Sequence, residues 1–373
     1  MIYFDNAATT SPSKTAIDKA RIFIENSFYN PSALYSGGLN CAREIRSAKE
    51  NILKKVGATA HELIFTSCGS ESDNQAIFCS VKRGVFVTTK GEHSAVYKSF
   101  LELKNRGLSV EFVDLNPDGT VDKEKLLETV KNAKASFVSI VHVNNETGGI
   151  NDVNDLAKSI KSLNKSTIVH VDGVQAFGKI PYKISNDIDF YAISAHKINA
   201  LKGVGALIRK KGVNLSPLIY GGGQENGLRS GTENVFGIKV FEYAADEKYQ
   251  NIKENYAKTL ELKNVILDNL DKNLFKIISG DKSSPYILTI SAVGLRGEVV
   301  MHSLETEGVV VGNGSACSSK NRYSRVIEAC GYSNDVLDGV VRLSFSPDNT
   351  LEEAVFVAEL LNRTVEKLKG ILK

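Results

Sequence analysis

The chain has 373 residues, of which 42% are hydrophobic and 24% charged, a balance that suits two folded domains and excludes a disordered chain or a fibrous repeat. Its 46 basic and 43 acidic side chains leave +3, spread along the chain, so no polybasic tail or nucleic-acid footprint stands out. No apolar stretch approaches the roughly 20 residues that span a bilayer, and the first ten residues form neither a basic nor an apolar leader, which predicts a cytoplasmic protein with no membrane partner.

Short β-branched runs alternate with amphipathic stretches through the first two-thirds. In chain order the pattern predicts a helix over Asn40–Val56, strands over Glu62–Thr66 and Val85–Thr88, and helices over His93–Arg106 and Asp122–Lys131. A strand over Ser136–Val143 and a helix over Val153–Leu163 follow, then strands over Thr167–Val171, Phe190–Ser194 and Ala206–Arg209. Strands separated by helices in this way read as βαβ units around a mostly parallel sheet. A long charged helical pattern from Val235 to Asp271 ends the alternation. Beyond it the pattern predicts a smaller C-terminal α+β unit, with strands over Ile287–Ser291, Val309–Val311 and Val341–Ser344 and a closing helix over Leu351–Leu372.

The five cysteines, Cys41, Cys68, Cys79, Cys317 and Cys330, include no C-x-x-C pair. An odd number without that spacing argues against a disulfide framework and a zinc ribbon, and no metal centre is predicted. Most should be buried small hydrophobes. Cys317 differs, because it lies in a run of small and polar residues from Gly312 to Asn321, the composition of an exposed, mobile loop.

Three segments place polar residues at strand ends, where ligands bind open α/β sheets. Ser67-Cys68-Gly69-Ser70-Glu71-Ser72 follows a strand and opens a helix; small residues at a helix N-terminus suit a phosphate, and they equally suit ordinary serine capping. His170-Val171-Asp172-Gly173-Val174-Gln175 ends another strand. Asp172 there could hold a protonated ring nitrogen and Gln175 a ring hydroxyl, or the two could be a helix cap and its partner. Ser194-Ala195-His196-Lys197 ends a third, and Lys197 is placed to form a Schiff base once it has lost its proton. Taken in order, phosphate grip, ring-nitrogen carboxylate and Schiff-base lysine together describe a pyridoxal 5'-phosphate (PLP) site far better than each describes anything alone.

On these residues the chain resembles the cysteine desulfurases of the NifS/IscS kind, within the class V, fold-type I PLP enzymes. The resemblance rests on Tyr3 to Thr10, Asn30-Pro31-Ser32, Glu71-Ser72-Asp73-Asn74, His142 to Gly148, His170 to Gln175 and Ser194 to Lys197, and is completed by Arg229-Ser230-Gly231-Thr232 and Gly314-Ser315-Ala316-Cys317. It implies a large, mostly parallel, seven-stranded α/β domain and a smaller C-terminal α+β domain. Residues 1–15 would pack with the small domain, 16–250 would form the PLP-binding domain, and 251–373 the small domain with its cysteine loop at about 312–322.

By the same resemblance Lys197 binds PLP and moves protons, Asp172 keeps the ring nitrogen protonated, and Gln175 and Asn145 bond the phenolic oxygen and the substrate–cofactor region. His93 would stack on the ring as an acid–base group, unless it simply caps a helix. Gly69, Ser70, Ser194 and His196 would hold the phosphate, and Thr232 would reach the phosphate of a neighbouring subunit in a homodimer. Arg342 would pair with the substrate carboxylate; lying in a strand, it needs a partner when buried, and an internal Asp or Glu would serve as well. Cys317 would take sulfur from L-cysteine as a persulfide, leaving L-alanine, and pass it to an acceptor for iron–sulfur assembly or tRNA thiolation.

Several positions depart from that pattern: Cys68 in the phosphate loop, Ile198 to Gly203 after the lysine, and Tyr35 where a histidine is common. Selenocysteine lyase or another class V aminotransferase would use much the same residues, an aminotransferase without needing Cys317. A non-catalytic sulfur-relay or scaffold protein is a third reading, against which the intact Lys197, Asp172, His93 and Cys317 argue.

Overall fold

The computed structural model describes residues 1–312 and 323–371. In chain order the elements of the first part are β1 (Ile2–Phe4), α1 (Lys14–Asn26), α2 (Ser36–Lys55), β2 (His61–Thr66), α3 (Gly69–Cys79), β3 (Val85–Thr89) and α4 (Ser94–Asn105). Next come β4 (Ser109–Val113), α5 (Lys123–Ala133), β5 (Phe137–Val141), α6 (Val153–Leu163), β6 (Ile168–Asp172), β7 (Phe190–Ser194) and β8 (Gly205–Lys210). The C-terminal part holds α7 (Val235–Gln250), α8 (Ile252–Asn269), β9 (Phe275–Ile277), β10 (Ile287–Ala292), α9 (Gly297–Thr306) and β11 (Val309–Val311). It closes with α10 (Arg325–Ala329), α11 (Asn334–Asp338), β12 (Val340–Ser344) and α12 (Leu351–Ile371).

Several helices begin where the sequence supplies an oxygen for an orphaned backbone N–H: Ser13 accepts from Ala16, Asp122 from Lys125, Asp152 from Asp155 and Asn234 from Gly237. The large sheet has the order β2-β8-β7-β6-β5-β3-β4. β8 pairs antiparallel with both its neighbours, and β7, β6, β5, β3 and β4 are parallel to one another. β5 and β7 are buried along their whole length, as strands covered by helices on both faces must be. One face packs Val138, Ile140, Val171 and Ile193 with Phe177 and Phe241, while Ile77, Phe86, Phe100 and Phe137 pack on another. A separate core, with Leu262, Ile266, Leu288, Ile290, Val341, Leu343 and Leu361, lies where α8, α9 and α12 cover the three-stranded sheet β12-β10-β9.

The structure adds β1, α1, β9, α9, α10 and α11 to the elements that the sequence pattern predicts, and it differs further at three places. β4 was not anticipated; it is a five-residue edge strand whose Ser109 and Glu111 face solvent, so it carries little apolar signal. The stretch from Val235 to Asp271 is two helices, interrupted at Asn251 with φ −117° and ψ 20°. The Val309–Val311 strand does not join the three-stranded sheet: it pairs parallel with β1, and Asp5 bridges to Ser344 on β12, which draws the N-terminal segment onto the C-terminal unit.

Candidate active site

The carboxyl ends of β3, β5, β6 and β7, together with the turn from β2 into α3, open onto one cavity of about 310 Å³. Its wall includes Gly69, Ser70, His93, Asn145, Asp172, Gln175, Ser194, His196, Lys197 and Arg342. Thr232 is exposed on the connection between β8 and α7 and does not line the cavity. Cys317 lies outside the described residues.

At one end of the cavity, Cys68 is the N-cap of α3 and Gly69 its first helical residue, so the first backbone N–H groups of the helix are available to an anion. A Cβ on Gly69 would stand 2.8 Å from Val174 Cγ2 and 3.5 Å from Ser194 Cβ, leaving no room for a side chain beside a ligand. The turn is braced from outside: Ser67 N donates to Glu71 Oε2 at 2.8 Å, and Arg229 Nε to Glu71 Oε1 at 2.9 Å. These bonds hold the Glu71 carboxyl below its ordinary range against the opposing effect of burial. Ser194 Oγ is buried here and makes no hydrogen bond, an unmet polar group that a ligand oxygen would satisfy.

Asp172, the last residue of β6, is 4% exposed, and its Oδ1 accepts from Val174 N at 3.0 Å. Burial raises its carboxyl, while the neighbouring His93 and Lys197 oppose the rise. His93 caps α4, its Nδ1 accepting from Ala95 N at 3.2 Å. That bond places the proton of the neutral ring on Nε2, and burial keeps the ring neutral by lowering its pKa. The capping role and a place in the cavity wall therefore coexist in one residue.

Lys197 follows β7 in a single 3₁₀ turn, and its Nζ donates to the carbonyls of Ala7 and Ala8, both at 2.7 Å. Gln175 Nε2 shares the Ala7 carbonyl at 2.9 Å, and its Oε1 accepts from the buried Lys179 Nζ at 2.7 Å. With its oxygen committed to Lys179 and one Nε2 hydrogen to Ala7, Gln175, on the cavity wall, keeps one N–H donor. Arg342, on β12, donates through Nη1 to the Asn145 carbonyl at 2.8 Å and through Nη2 to Asp5 Oδ1 at 2.7 Å, and its buried Nε has no hydrogen bond. Asp5 is thus the internal acid that a buried strand arginine requires. His196, whose Nδ1 lies 3.1 Å from Thr9 Oγ1, has its pKa pushed down to about 4 chiefly by burial.

Sequence reasoning assigned no role to the buried Asp73, Glu92 and Lys179 or the half-buried Glu146 and Arg325 around this wall. Glu92 is held neutral by burial, with its pKa raised to about 8. Glu146 accepts from Ser324, and Arg325 donates to the Glu92 carbonyl at 2.5 Å while stacking 3.8 Å over Tyr97. A signal existed for Asp73: Ser72, Asp73 and Gln75 are polar on the inward face of α3, where apolar residues belong.

The chain matches the model of the aminotransferase class-V family over residues 2–356. It is 34% identical to a cysteine desulfurase of Nostoc sp., over the whole of this chain and 94% of that protein. A solved NifS-like protein superposes with a TM-score of 0.90 at 32% identity, covering 99% of both chains. A second solved structure, SspA in complex with cysteine, gives 0.81 at 27% identity over 94% of this chain and all of the other.

Proposed function

Since the chain belongs to the aminotransferase class-V family, with cysteine desulfurases among its relatives across the full length, we propose that it is a PLP-dependent cysteine desulfurase that converts L-cysteine to L-alanine and loads the sulfur onto Cys317. The observation that carries this reading is the convergence of Gly69, Ser194, Asp172 and Lys197 on one cavity, in the order phosphate grip, ring-nitrogen partner and amine.

The residues present fit that cofactor. The orphaned Ser194 Oγ and the crowded, side-chain-free Gly69 make a cradle at the N-terminus of α3, which suits a phosphate together with Ser70 and His196. Asp172 offers a buried carboxylate for a protonated ring nitrogen, and Gln175 offers its second Nε2 hydrogen to the phenolic oxygen. When bound, PLP supplies an electron sink for the pair released at the substrate Cα.

The chain's own residues do the rest. Lys197 anchors the cofactor and, once released by substrate, carries the Cα proton. Its two carbonyl partners on Ala7 and Ala8 hold the amine on the cavity side in the meantime. His93 presents Nε2 as a short-range acid–base group. Arg342 and Asn145 orient the substrate: the unpartnered Nε of Arg342 leaves the guanidinium able to grip a carboxylate. The Cys317 thiolate attacks the substrate sulfur, the Cβ–S bond breaks with its electron pair leaving on carbon, and a returned proton completes alanine. Cys317 is left as a persulfide, from which an acceptor protein of iron–sulfur assembly or tRNA thiolation takes the sulfur. A homodimer, with Thr232 exposed to reach the neighbouring site, and a cytoplasmic location complete the reading; no helix among the described residues is long and apolar enough to cross a membrane. A division into residues 1–15, 16–250 and 251–373 is supported by the two separate cores and the β1–β11 pairing.

The test is alanine formation from L-cysteine by the PLP-loaded protein with a thiol present. Cys317→Ala should abolish alanine and keep the visible cofactor band. A variant that still formed alanine at the parental rate would refute the assignment of Cys317.

A further inference from the structure

The reaction as proposed leaves one fully buried acid of the cavity wall without a task. Asp73, on the second turn of α3, is 1% exposed and lines the same cavity as Asp172. The groups that face it are Asp172 and His170 from β6, Glu92 and His93 from the β3–α4 connection, and Cys68 from the start of its own helix. The side-chain ligand atoms of Asp73, His93 and Asp172 all lie within 4.8 Å of one another. Asp73 Oδ1 makes no hydrogen bond, and neither does His170 Nε2, which stands 3.4 Å from it. The other nitrogen of that ring, Nδ1, meets Ser139 Oγ at 2.8 Å.

Two carboxylates this close and out of water cannot both ionise unless a cation is bonded to them. Lys197 and His93 favour the ionised form of Asp172, whereas the acids that act on Asp73, Asp172 and Glu92, push its carboxyl towards the neutral form. A single proton resolves both unmet atoms. Placed on Asp73, it is donated to His170 Nε2, and the neutral ring then donates from Nδ1 to Ser139.

We propose that Asp73 is a positioning residue, kept as a neutral carboxylic acid hydrogen-bonded to His170, so that Asp172 is the one anion left for the ring nitrogen; this rests on the reading of the cavity as a PLP site. Burial and then the charge of Asp172 raise the Asp73 carboxyl well above its ordinary range, and burial holds His170 neutral with a pKa of about 3. Both directions agree with the proton's assignment. An ionised Asp73 would instead compete with Asp172 for the ring proton and add a second negative charge near Lys197.

The experiment compares PLP-loaded parent, Asp73→Asn and Asp73→Ala by PLP dissociation constant and by the pH midpoint of the visible band, which reports the proton at the Lys197 linkage. Asparagine is neutral and keeps an N–H donor for His170, so the midpoint and the PLP affinity should each stay within about threefold of the parent. Alanine strands His170 Nε2, and PLP affinity should fall by roughly tenfold. A shift of tenfold or more in proton affinity for Asp73→Asn would mean that a charge had been removed, and it would overturn the proposal alone. A parent with no visible band after adding PLP would overturn the cofactor reading and this proposal with it. Carbon-13 NMR of the parent, labelled at the aspartate carboxyls, gives a check that needs no variant to fold. A carboxyl that remains protonated through neutral pH is expected, and the absence of any such resonance overturns the assignment.

Discussion

Burial outweighs the nearby charge of Arg325 at Glu92, beside this cavity, and Glu92 shows the effect in measurable form. Its Oε1 accepts from Thr89 Oγ1 at 2.8 Å and Val141 N at 3.0 Å, while Oε2 has no hydrogen bond. The folded protein holds its proton up to about pH 8, against 4.5 for the free side chain. The folded state therefore binds more protons than the unfolded state between those values, and stability falls as pH rises through that window. The slope is at most about 1.4 kcal/mol per pH unit. Glu92→Gln does not titrate, so its stability relative to the parent should improve by about 1 kcal/mol or more between pH 5 and pH 8. Denaturant unfolding at the two pH values measures this. An equal difference at both would show that Glu92 is already ionised in the folded state.

At the scale of elements, the proposed phosphate cradle depends on how closely β8 approaches the turn between β2 and α3. Gly205 opens β8, and a Cβ there would lie 2.5 Å from the carbonyl carbon of Cys68. Backbone, unlike a flexible side chain, cannot step aside, so the turn itself would have to move. Gly205→Ala should therefore weaken PLP binding by tenfold or more and destabilise the protein by roughly 1–3 kcal/mol. Equilibrium titration with PLP decides it: unchanged affinity would mean that the turn tolerates displacement. The same packing explains a limit of sequence reading. Ser67 to Ser72 is recognisable as a helix start after a strand, but nothing local says that Val174, Ser194 and Gly205 close around it. Those neighbours come from the turn after β6 and from β7 and β8, more than a hundred residues away.

At the scale of the molecule, the proposed homodimer makes the site a shared object. Thr232 is exposed in the single chain and outside the cavity, which suits a residue that serves the neighbouring subunit. Lys197→Ala and Thr232→Ala should each impair desulfuration as pure proteins. Mixed dimers of the two contain one site with Lys197 intact and Thr232 supplied across the interface, so mixing and refolding them together should restore up to about half the parental activity per mixed dimer. No recovery, from mixed dimers verified by differential tagging, would place Thr232 in its own subunit's site.

The sequence determined by itself the alternation of strands and helices, and with it the ends at which ligands gather, because hydrophobic period and capping residues act within a few positions of one another. It also determined the order of the chemical groups: Asp172 at the end of one strand and Lys197 just past another are legible from their immediate neighbours. Edge strand β4 escaped because a strand with one solvated side carries little apolar signal. Tertiary structure alone decided which charges meet. Asp5 and Arg342 lie 2.7 Å apart across 337 positions of chain, Lys179 fixes the Gln175 amide through a bond between buried groups, and Asp73 faces Asp172 from another element. Desolvation and pairing depend on the distances and burial that the fold creates, and neither is a property of any segment read alone.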